Sequence, residues 1–291
     1  MDLTVGSTTL YVRRWGEPGG RPLLFLHALG PASSAAFLGL GVQPLVDAGF
    51  DVAAPDLPGY GGSPPLDPDD YAVSRLATLM VELVGTLDWP RFDLVGHSWG
   101  GAIACHLAAA YPELVHSLVL VDSGHLDYAE TPGVDLDSTI EELCEAAEAG
   151  RLRLPDREHV AELIGTDVDD VLVDAFLEGM QPDDEGRLVS RTPGRASGAA
   201  RYHLARAKQS ETWPLIAAQR IPTLLLLATE PEQARQLNEM GATRFAAAVP
   251  QADVRWVEGA THSLVTDERE RFGQTVSQWV SQWLVPGTTS G

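Results

Sequence analysis

The chain is poor in cysteine and in positive charge, and it has no long apolar run. Its 291 residues hold two cysteines, Cys105 and Cys144. That is too few for a disulfide-stapled scaffold; nothing in the pattern asks for a bridge between them, and the count fits a reducing cytoplasm. Lys and Arg total 20 against 41 Asp and Glu, a net charge of −21. Such a surface repels polyanions, so no nucleic acid partner is expected. The longest apolar run, around Leu224 to Ala228, is strand-sized. It falls far short of a bilayer span, so no membrane partner is expected. Met1 to Gly6 carries no basic segment leading into an apolar stretch, so no secretory signal is expected and the cytoplasm is the expected location. No spacing of His, Cys, Asp and Glu suggests a metal, no cofactor is called for, and there is no internal repeat.

What is present is alternation. Thr8–Trp15 partly alternates and reads as an outer strand, and Pro22 to His27 is a continuous apolar run of the kind buried on both faces. Helical spacing over Phe37 to Ala48 precedes a strand at Asp51 to Pro55, and helical spacing over Tyr71 to Leu87 precedes another at Arg91 to Val95. A helix over Gly101 to Ala108 and a strand at His116 to Asp122 follow. Strands alternating with helices imply an α/β fold, a mostly parallel sheet with helices on both faces. The alternation stops from about Gly124 to Pro214. There the pattern gives a capping box at Ser138 to Glu141, helices over Ile140 to Ala149, Pro155 to Ile164, Val168 to Met180 and Ala199 to Ser210, a loop at Gln181 to Gly186, and no convincing strand. It resumes with strands at Ile221 to Ala228 and Asp253 to Val257 and helices over Gln233 to Ala248 and Glu268 to Trp283; Pro286 to Gly291 reads as a loose tail. The expected division is a core of 1–123 and 215–291 with a helical insertion, 124–214.

Gly96-His97-Ser98-Trp99-Gly100 spells G-x-S-x-G between the strand ending at Val95 and the helix opening at Gly101. In that context the pattern is a nucleophile elbow, a tight strand-to-helix turn that holds a serine hydroxyl above the sheet. A serine hydroxyl needs a base, and the base needs a carboxylate to orient it. Of eight histidines, His262 has the best position, in a loop after the last strand and before the last helix. His97 neighbours Ser98 but points away from it on a sharp turn, and reads as packed beneath the elbow. His106 and His116 fall in or beside regular elements, His125 lies where it can line a cleft, and His159 and His203 fall in the insertion. A developing oxyanion needs two backbone N–H donors, one from the residue after the nucleophile, Trp99, and one from the loop His27-Ala28-Leu29-Gly30-Pro31.

These motifs resemble those of the α/β-hydrolase superfamily, in the serine-nucleophile group with a helical cap inserted after the sixth strand, and the similarity runs from Thr8 to Trp283. His27-Ala28-Leu29-Gly30 is similar to the family's His-Gly-x-Pro loop, with Ala28 in place of glycine, and implies Leu29 as the second oxyanion donor. Asp56-Leu57-Pro58-Gly59-Tyr60-Gly61-Gly62-Ser63 resembles the D-x-P-G-x-G-x-S turn, in which Asp56 is a framework residue. The family's usual acid follows the seventh strand in a Gly-x-x-Asp pattern. Here the stretch reads Ala228-Thr229-Glu230-Pro231, with proline in the acid position and Glu230 and Glu232 beside it. Other relatives place the acid at the end of the sixth strand, which is Asp122 here, 24 positions past Ser98. Asp122 is the expected acid and Glu230 the alternative.

The resemblance implies a cofactor-independent serine hydrolase cleaving a carboxylic ester or lactone through an acyl-enzyme on Ser98. Dehalogenases and epoxide hydrolases of this superfamily carry an aspartate at the elbow, so Ser98 argues against both. A carbon–carbon bond hydrolase, a perhydrolase and an acyltransferase keep the serine and remain open, as does a ligand receptor or binding protein on the same fold. Trp99 and Leu29 suggest an apolar floor, so a neutral, partly apolar small molecule is expected.

Overall fold

The computed structural model describes residues 1–31, 33–38, 41–164 and 170–283. Its strands are β1 (Asp2–Val5), β2 (Thr8–Trp15), β3 (Arg21–Leu26), β4 (Phe50–Pro55), β5 (Phe92–His97), β6 (Val115–Val121), the short β7 (Arg153–Leu154), β8 (Met180–Pro182) and β9 (Leu188–Ser190), then β10 (Thr223–Ala228) and β11 (Ala252–Val257). Eight of them form one sheet in the order β1-β2-β4-β3-β5-β6-β10-β11. β2 pairs antiparallel with β1 and β4; every other pairing is parallel. The central strands β4, β5 and β10 are buried at every position; β10 reads as a nearly continuous apolar run, while Asp51 in β4 and Asp93 in β5 are buried in ion pairs with Arg14 and Arg21.

The period of two along each strand divides the core. Leu94, Leu118, Leu120 and Leu225 face one cluster, and Val95, Val119, Val121 and Leu224 face the other. The first is roofed by α2 (Val73–Thr86 follows α1, Gln43–Asp47) and by α3 (Trp99–Ala110); the second is closed by α1 and by α11 (Arg269–Ser281) through Leu45, Phe272, Val276 and Trp279. Truncating a buried leucine of this kind, such as Leu225, to alanine costs about 2–5 kcal/mol.

Between β6 and β10 the chain forms α4 (Ile140–Ala149), α5 (Arg157–Ile164), α6 (Asp170–Glu178), α7 (Gly194–Arg206) and α8 (Trp213–Ala218); α9 (Glu232–Ala248) follows β10, and α10 (Leu264–Asp267) precedes α11. The all-helical expectation for this segment is corrected by β7, β8 and β9, a small antiparallel sheet in the order β7-β9-β8. Strands of two or three residues carry no readable alternation, and the expected loop at Gln181 to Gly186 is the start of a hairpin turning at Gly186, where φ is +78°. The capping box sits one residue later than expected. Thr139 caps and pairs with Glu142, because the Ser138 hydroxyl donates to the Asp135 carboxylate instead, at 2.6 Å. Of the helix expected over Phe37 to Ala48, the described residues form α-helix at Gln43–Asp47, where Pro44 pre-sets a first turn; residues 39 and 40 lie outside the described residues. The tail from Pro286 lies outside the described residues, and no described helix is long and apolar enough to cross a membrane.

Candidate active site

Because β3, β5, β6, β10 and β11 run parallel, their carboxyl ends share one edge of the sheet, where an open α/β sheet gathers its functional loops. β5 ends there in the elbow. Ser98 has φ 53° and ψ −116°, a region that side chains seldom occupy. The turn is tight enough that a Cβ on Gly96 would strike the Gly100 carbonyl, and one on Gly100 would strike the Leu26 carbonyl. The Ser98 N–H donates to Val121 O at 3.2 Å and the Ser123 hydroxyl donates to Ser98 O at 2.5 Å, so the elbow is tied to the end of β6.

The structure brings Ser98, His262 and Asp122 together. The Ser98 hydroxyl donates to His262 Nε2 at 2.9 Å. A carboxylate only accepts, so His262 Nδ1 carries its proton and donates to Asp122 Oδ2 at 2.6 Å. The His262 side chain is 57% exposed and that of Asp122 7%. Burial pushes the Asp122 carboxyl up, but the hydrogen bond and charge of His262 and the Ala228 N–H outweigh it and hold it below the usual range. Asp122 itself has φ +45°, a backbone that aspartate and asparagine tolerate better than most residues.

Glu230 is elsewhere. Its backbone N–H donates to Ala260 O at 2.9 Å, and its exposed carboxylate has no partner among the described residues. Glu232 opens α9, where its carboxylate accepts from Gln236 at 3.3 Å.

Leu29 and Trp99 present unengaged backbone N–H groups among the described residues. Trp99 is the first residue of α3, where an N–H has no partner within the helix. Leu29 is oriented by His27, whose Nδ1–H donates to Ala28 O at 2.7 Å while its Nε2 accepts from the Leu57 N–H at 2.8 Å. In a trans peptide the carbonyl of Ala28 and the N–H of Leu29 point in opposite directions, so holding one back aims the other forward. Asp56 braces the same loop, accepting from Ser34 N–H at 3.0 Å and Gly62 N–H at 2.8 Å.

Asn238, which the sequence left without a role, and His97, read as packed beneath the elbow, complete the surroundings of Asp122 and His262. Asn238, on α9, donates from Nδ2 to Asp122 Oδ1 at 2.9 Å and to Ala228 O at 3.3 Å, and its Oδ1 accepts from His125 Nε2 at 3.0 Å. With the Ala228 N–H at 3.0 Å, Asp122 Oδ1 is saturated and Oδ2 is left to His262. His97, packed beneath the elbow, donates from Nε2 to the His262 carbonyl at 2.7 Å and so anchors the loop. Burial, with the neighbouring His262, pushes its pKa down to about 3, so it serves as a neutral donor. The signal for Asn238 was its place on the apolar phase of α9, with Gly241, Ala242 and Phe245. The remaining histidines stay apart: His203 donates to Pro68 O at 3.0 Å and His159 pairs with Asp156 at 2.9 Å.

A cavity of about 350 Å³ opens at Ser98 and His262, with apolar walls that include Leu126, Tyr128, Leu204 and Leu237. A second, of about 390 Å³, lies beyond Leu29 and Tyr60 under α4 and α7. The expected apolar floor at Trp99 is corrected: its side chain is fully buried, packed behind Tyr60 with ring centroids 5.2 Å apart and the rings tilted by 48°. Both cysteines are free, Cys105 buried and Cys144 half-buried, and among the described residues no group of three His, Cys, Asp or Glu side chains is arranged to hold a metal ion.

Known proteins share this arrangement of the chain. A segment of AB hydrolase superfamily protein YfhM of Bacillus subtilis (strain 168) is 34% identical over 124 residues, 42% of this chain and 43% of that protein. For 2-hydroxymuconate semialdehyde hydrolase of Pseudomonas sp. (strain CF600) the figures are 36% over 124 residues, 40% and 41%. The matched segments thus span less than half of these relatives. The crystal structure of E-2-(acetamidomethylene)succinate hydrolase superposes with a TM-score of 0.75 at 24% identity, covering 97% of this chain and 98% of that one. An esterase from Exiguobacterium antarcticum does so at 0.72 and 18%, covering 96% and 98%. The family model for the alpha/beta hydrolase fold matches residues 21–264, and the chain belongs to that family.

Proposed function

We propose that the protein is a serine hydrolase that cleaves a carboxylic ester or lactone through an acyl-enzyme on Ser98, using no cofactor. The observation that carries this reading is the continuous path from Ser98 Oγ through His262 to Asp122, 2.9 Å and 2.6 Å. Ser98 Oγ attacks the carbonyl carbon as His262 Nε2 takes its proton; Asp122 holds the tautomer that leaves Nε2 free and stabilises the imidazolium. The N–H groups of Leu29 and Trp99 receive the oxyanion. Collapse of the tetrahedral species expels the alcohol with the proton from His262. Water, deprotonated by the same imidazole, then attacks the acyl carbon and releases the acid and Ser98. The insertion, 124–214, acts as the cap that shapes specificity, and the leaving group meets a neutral, apolar wall at Leu126, Leu204 and Leu237.

A second reading is hydrolysis of a carbon–carbon bond, favoured by the likeness over 124 residues to a protein named 2-hydroxymuconate semialdehyde hydrolase. Turnover of short-chain p-nitrophenyl esters, with an acyl adduct on Ser98 in the intact mass, tests the first. Ser98→Ala is expected to lower that turnover by several orders of magnitude while the fold persists. Retention of even a tenth of the rate would refute the role of Ser98. A single burst without turnover would identify a binding protein, and a diketone cleaved faster than any ester would favour the second reading.

A further inference from the structure

The second cavity has the opposite charge to the protein. The chain carries 41 acidic residues against 20 basic ones, yet this cavity is lined by Arg151 and Arg201 with Tyr60, Ser197 and Thr192, and by no carboxylate. Arg151 is partly engaged, with Nε donating to Ser190 O at 2.7 Å and Nη1 to Glu148 at 3.0 Å. Arg201 has no ion-pair partner among the described residues. Below it the Tyr60 ring is 2% exposed. The Tyr60 hydroxyl is buried and makes no hydrogen bond of normal geometry, although Ser197 is near enough to interact with it and Arg201 acts on it electrostatically. A buried hydroxyl without a partner is costly unless a ligand supplies one.

Helix α7 connects this cavity to the reaction centre. Ser197, Arg201 and Leu204 lie at spacings of four and three, on one face. Leu204 borders the cavity at Ser98, and Arg201 and Ser197 border the second one. Three residues of helix span about 4.5 Å, so the two cavities flank neighbouring turns of α7. The direction is also set. His262 must protonate the leaving group, and His262 lines only the first cavity of the two. Leu29, whose N–H faces the developing oxyanion in the proposed reaction, lines the second. Leu29 also borders a third cavity, of about 290 Å³, lined by Asp267 and, among the described residues, by no Lys or Arg; an acyl group that carries negative charge is therefore directed past Leu29 toward Tyr60 and Arg201.

We propose that this cavity is a carboxylate subsite, with Arg201, Tyr60 and Ser197 binding the far end of an acyl group that is itself an anion, so that the substrate is the monoester of a short dicarboxylic acid. This rests on the serine-hydrolase reading for the chemistry, but not for the binding. It replaces the neutral acyl group expected from Trp99, whose ring is sealed from the site.

The experiment pairs methyl butyrate with monomethyl succinate, which differ by methyl against carboxylate at the acyl end, with acid release followed in a pH-stat. The wild type is expected to prefer monomethyl succinate in kcat/KM by about tenfold or more. Arg201→Gln is expected to lower the preference by about 10- to 100-fold, the worth of one hydrogen-bonded charge pair, and mainly through KM. Arg75→Gln, on an exposed ion pair with Asp70, is the control and keeps the wild-type preference. Arg201→Lys, which keeps the charge, restores part of it. Calorimetric titration of succinate into Ser98→Ala gives binding without turnover, and adding Arg201→Gln is expected to abolish it. Succinate binding that depends on Arg201, with neither ester hydrolysed, would sustain the subsite and refute the hydrolase. Ester turnover with no carboxylate preference and no succinate binding would overturn the subsite and leave the hydrolase standing.

Discussion

Asp122→Asn is the substitution that most directly tests how the site is wired. Asparagine keeps the shape, and the left-handed backbone at this position, φ +45°, suits it as well as aspartate. Its Oδ1 can still accept from the Ala228 N–H and Asn238 Nδ2, which now stand at 3.0 Å and 2.9 Å. Its Nδ2 then falls where Asp122 Oδ2 meets His262 Nδ1. An amide N–H donates, so Nδ1 must become the acceptor and the proton moves to Nε2, leaving Ser98 without a base. The same change in a serine protease costs about 10⁴ in kcat. Stability changes little. Two hydrogen bonds lose their charge assistance at a cost of about 1–2 kcal/mol, a few degrees in Tm for a chain of this size. The matched control is Glu230→Gln, where the carboxylate is exposed and without a partner among the described residues, and turnover is expected within about twofold of wild type. The assay is ester hydrolysis by both variants at equal Ser98 titre, with Tm measured on each. A large loss in Glu230→Gln beside a near-normal Asp122→Asn would refute the wiring and move the acid to the loop after β10.

Asn238→Leu removes two donated bonds and orphans His125 Nε2; kcat is expected to fall about 10- to 100-fold, the worth of one hydrogen bond to a charge, and an unchanged kcat in a folded variant would show that Asp122 needs no such brace. Acid should destabilise the protein well before its carboxylates protonate. Burial lowers the pKa of His27 and His125, and that of His97 to about 3, so below about pH 6.5 the unfolded chain takes up protons that the folded one refuses, and stability falls as pH falls. His97→Gln keeps an N–H donor for the His262 carbonyl but removes one such proton, and urea unfolding between pH 7 and 5 should lose on the order of 1.4 kcal/mol per pH unit from its slope; an unaltered slope would mean that His97 is protonated in the native state.

The strands of the large sheet were readable because burial on both faces leaves a simple trace. β2 and β10 lie within a residue or two of where Thr8–Trp15 and Ile221 to Ala228 put them, and the parallel sheet follows from their alternation with helices. The reading failed where the trace is too short or is shared. β1 spans four residues and pairs only at one edge, and β7, β8 and β9 span two or three; none is long enough for a period of two to emerge from composition. The capping box slipped by one residue because Ser138 and Thr139 are equivalent in pattern. What separates them is a competing carboxylate, Asp135, three residues upstream.

The chemistry at the sheet edge divides in the same way. Ser98 and His262 were legible because each follows a strand whose end the fold holds in place, so position alone carries them to one edge. Asp122 was legible only as one of two candidates, since the choice turns on loop shape: Ala228, next to Pro231's loop, turns its N–H toward Asp122 at 3.0 Å, while the Glu230 side chain is exposed. The end of β10 and the helix that follows thus contribute donors to the carboxylate just after β6, in place of a carboxylate from the loop between them. Asn238 is the second of those donors, and it shows what a periodicity reading discards. On α9 the buried positions are Asn238, Gly241, Ala242 and Phe245, a stripe at spacings of three, one and three. Scored for hydrophobicity, the amide is a blemish on that stripe. Scored for what burial demands, it requires a partner on the facing element, and the facing element is the end of β6, where Asp122 has one oxygen more than His262 can use.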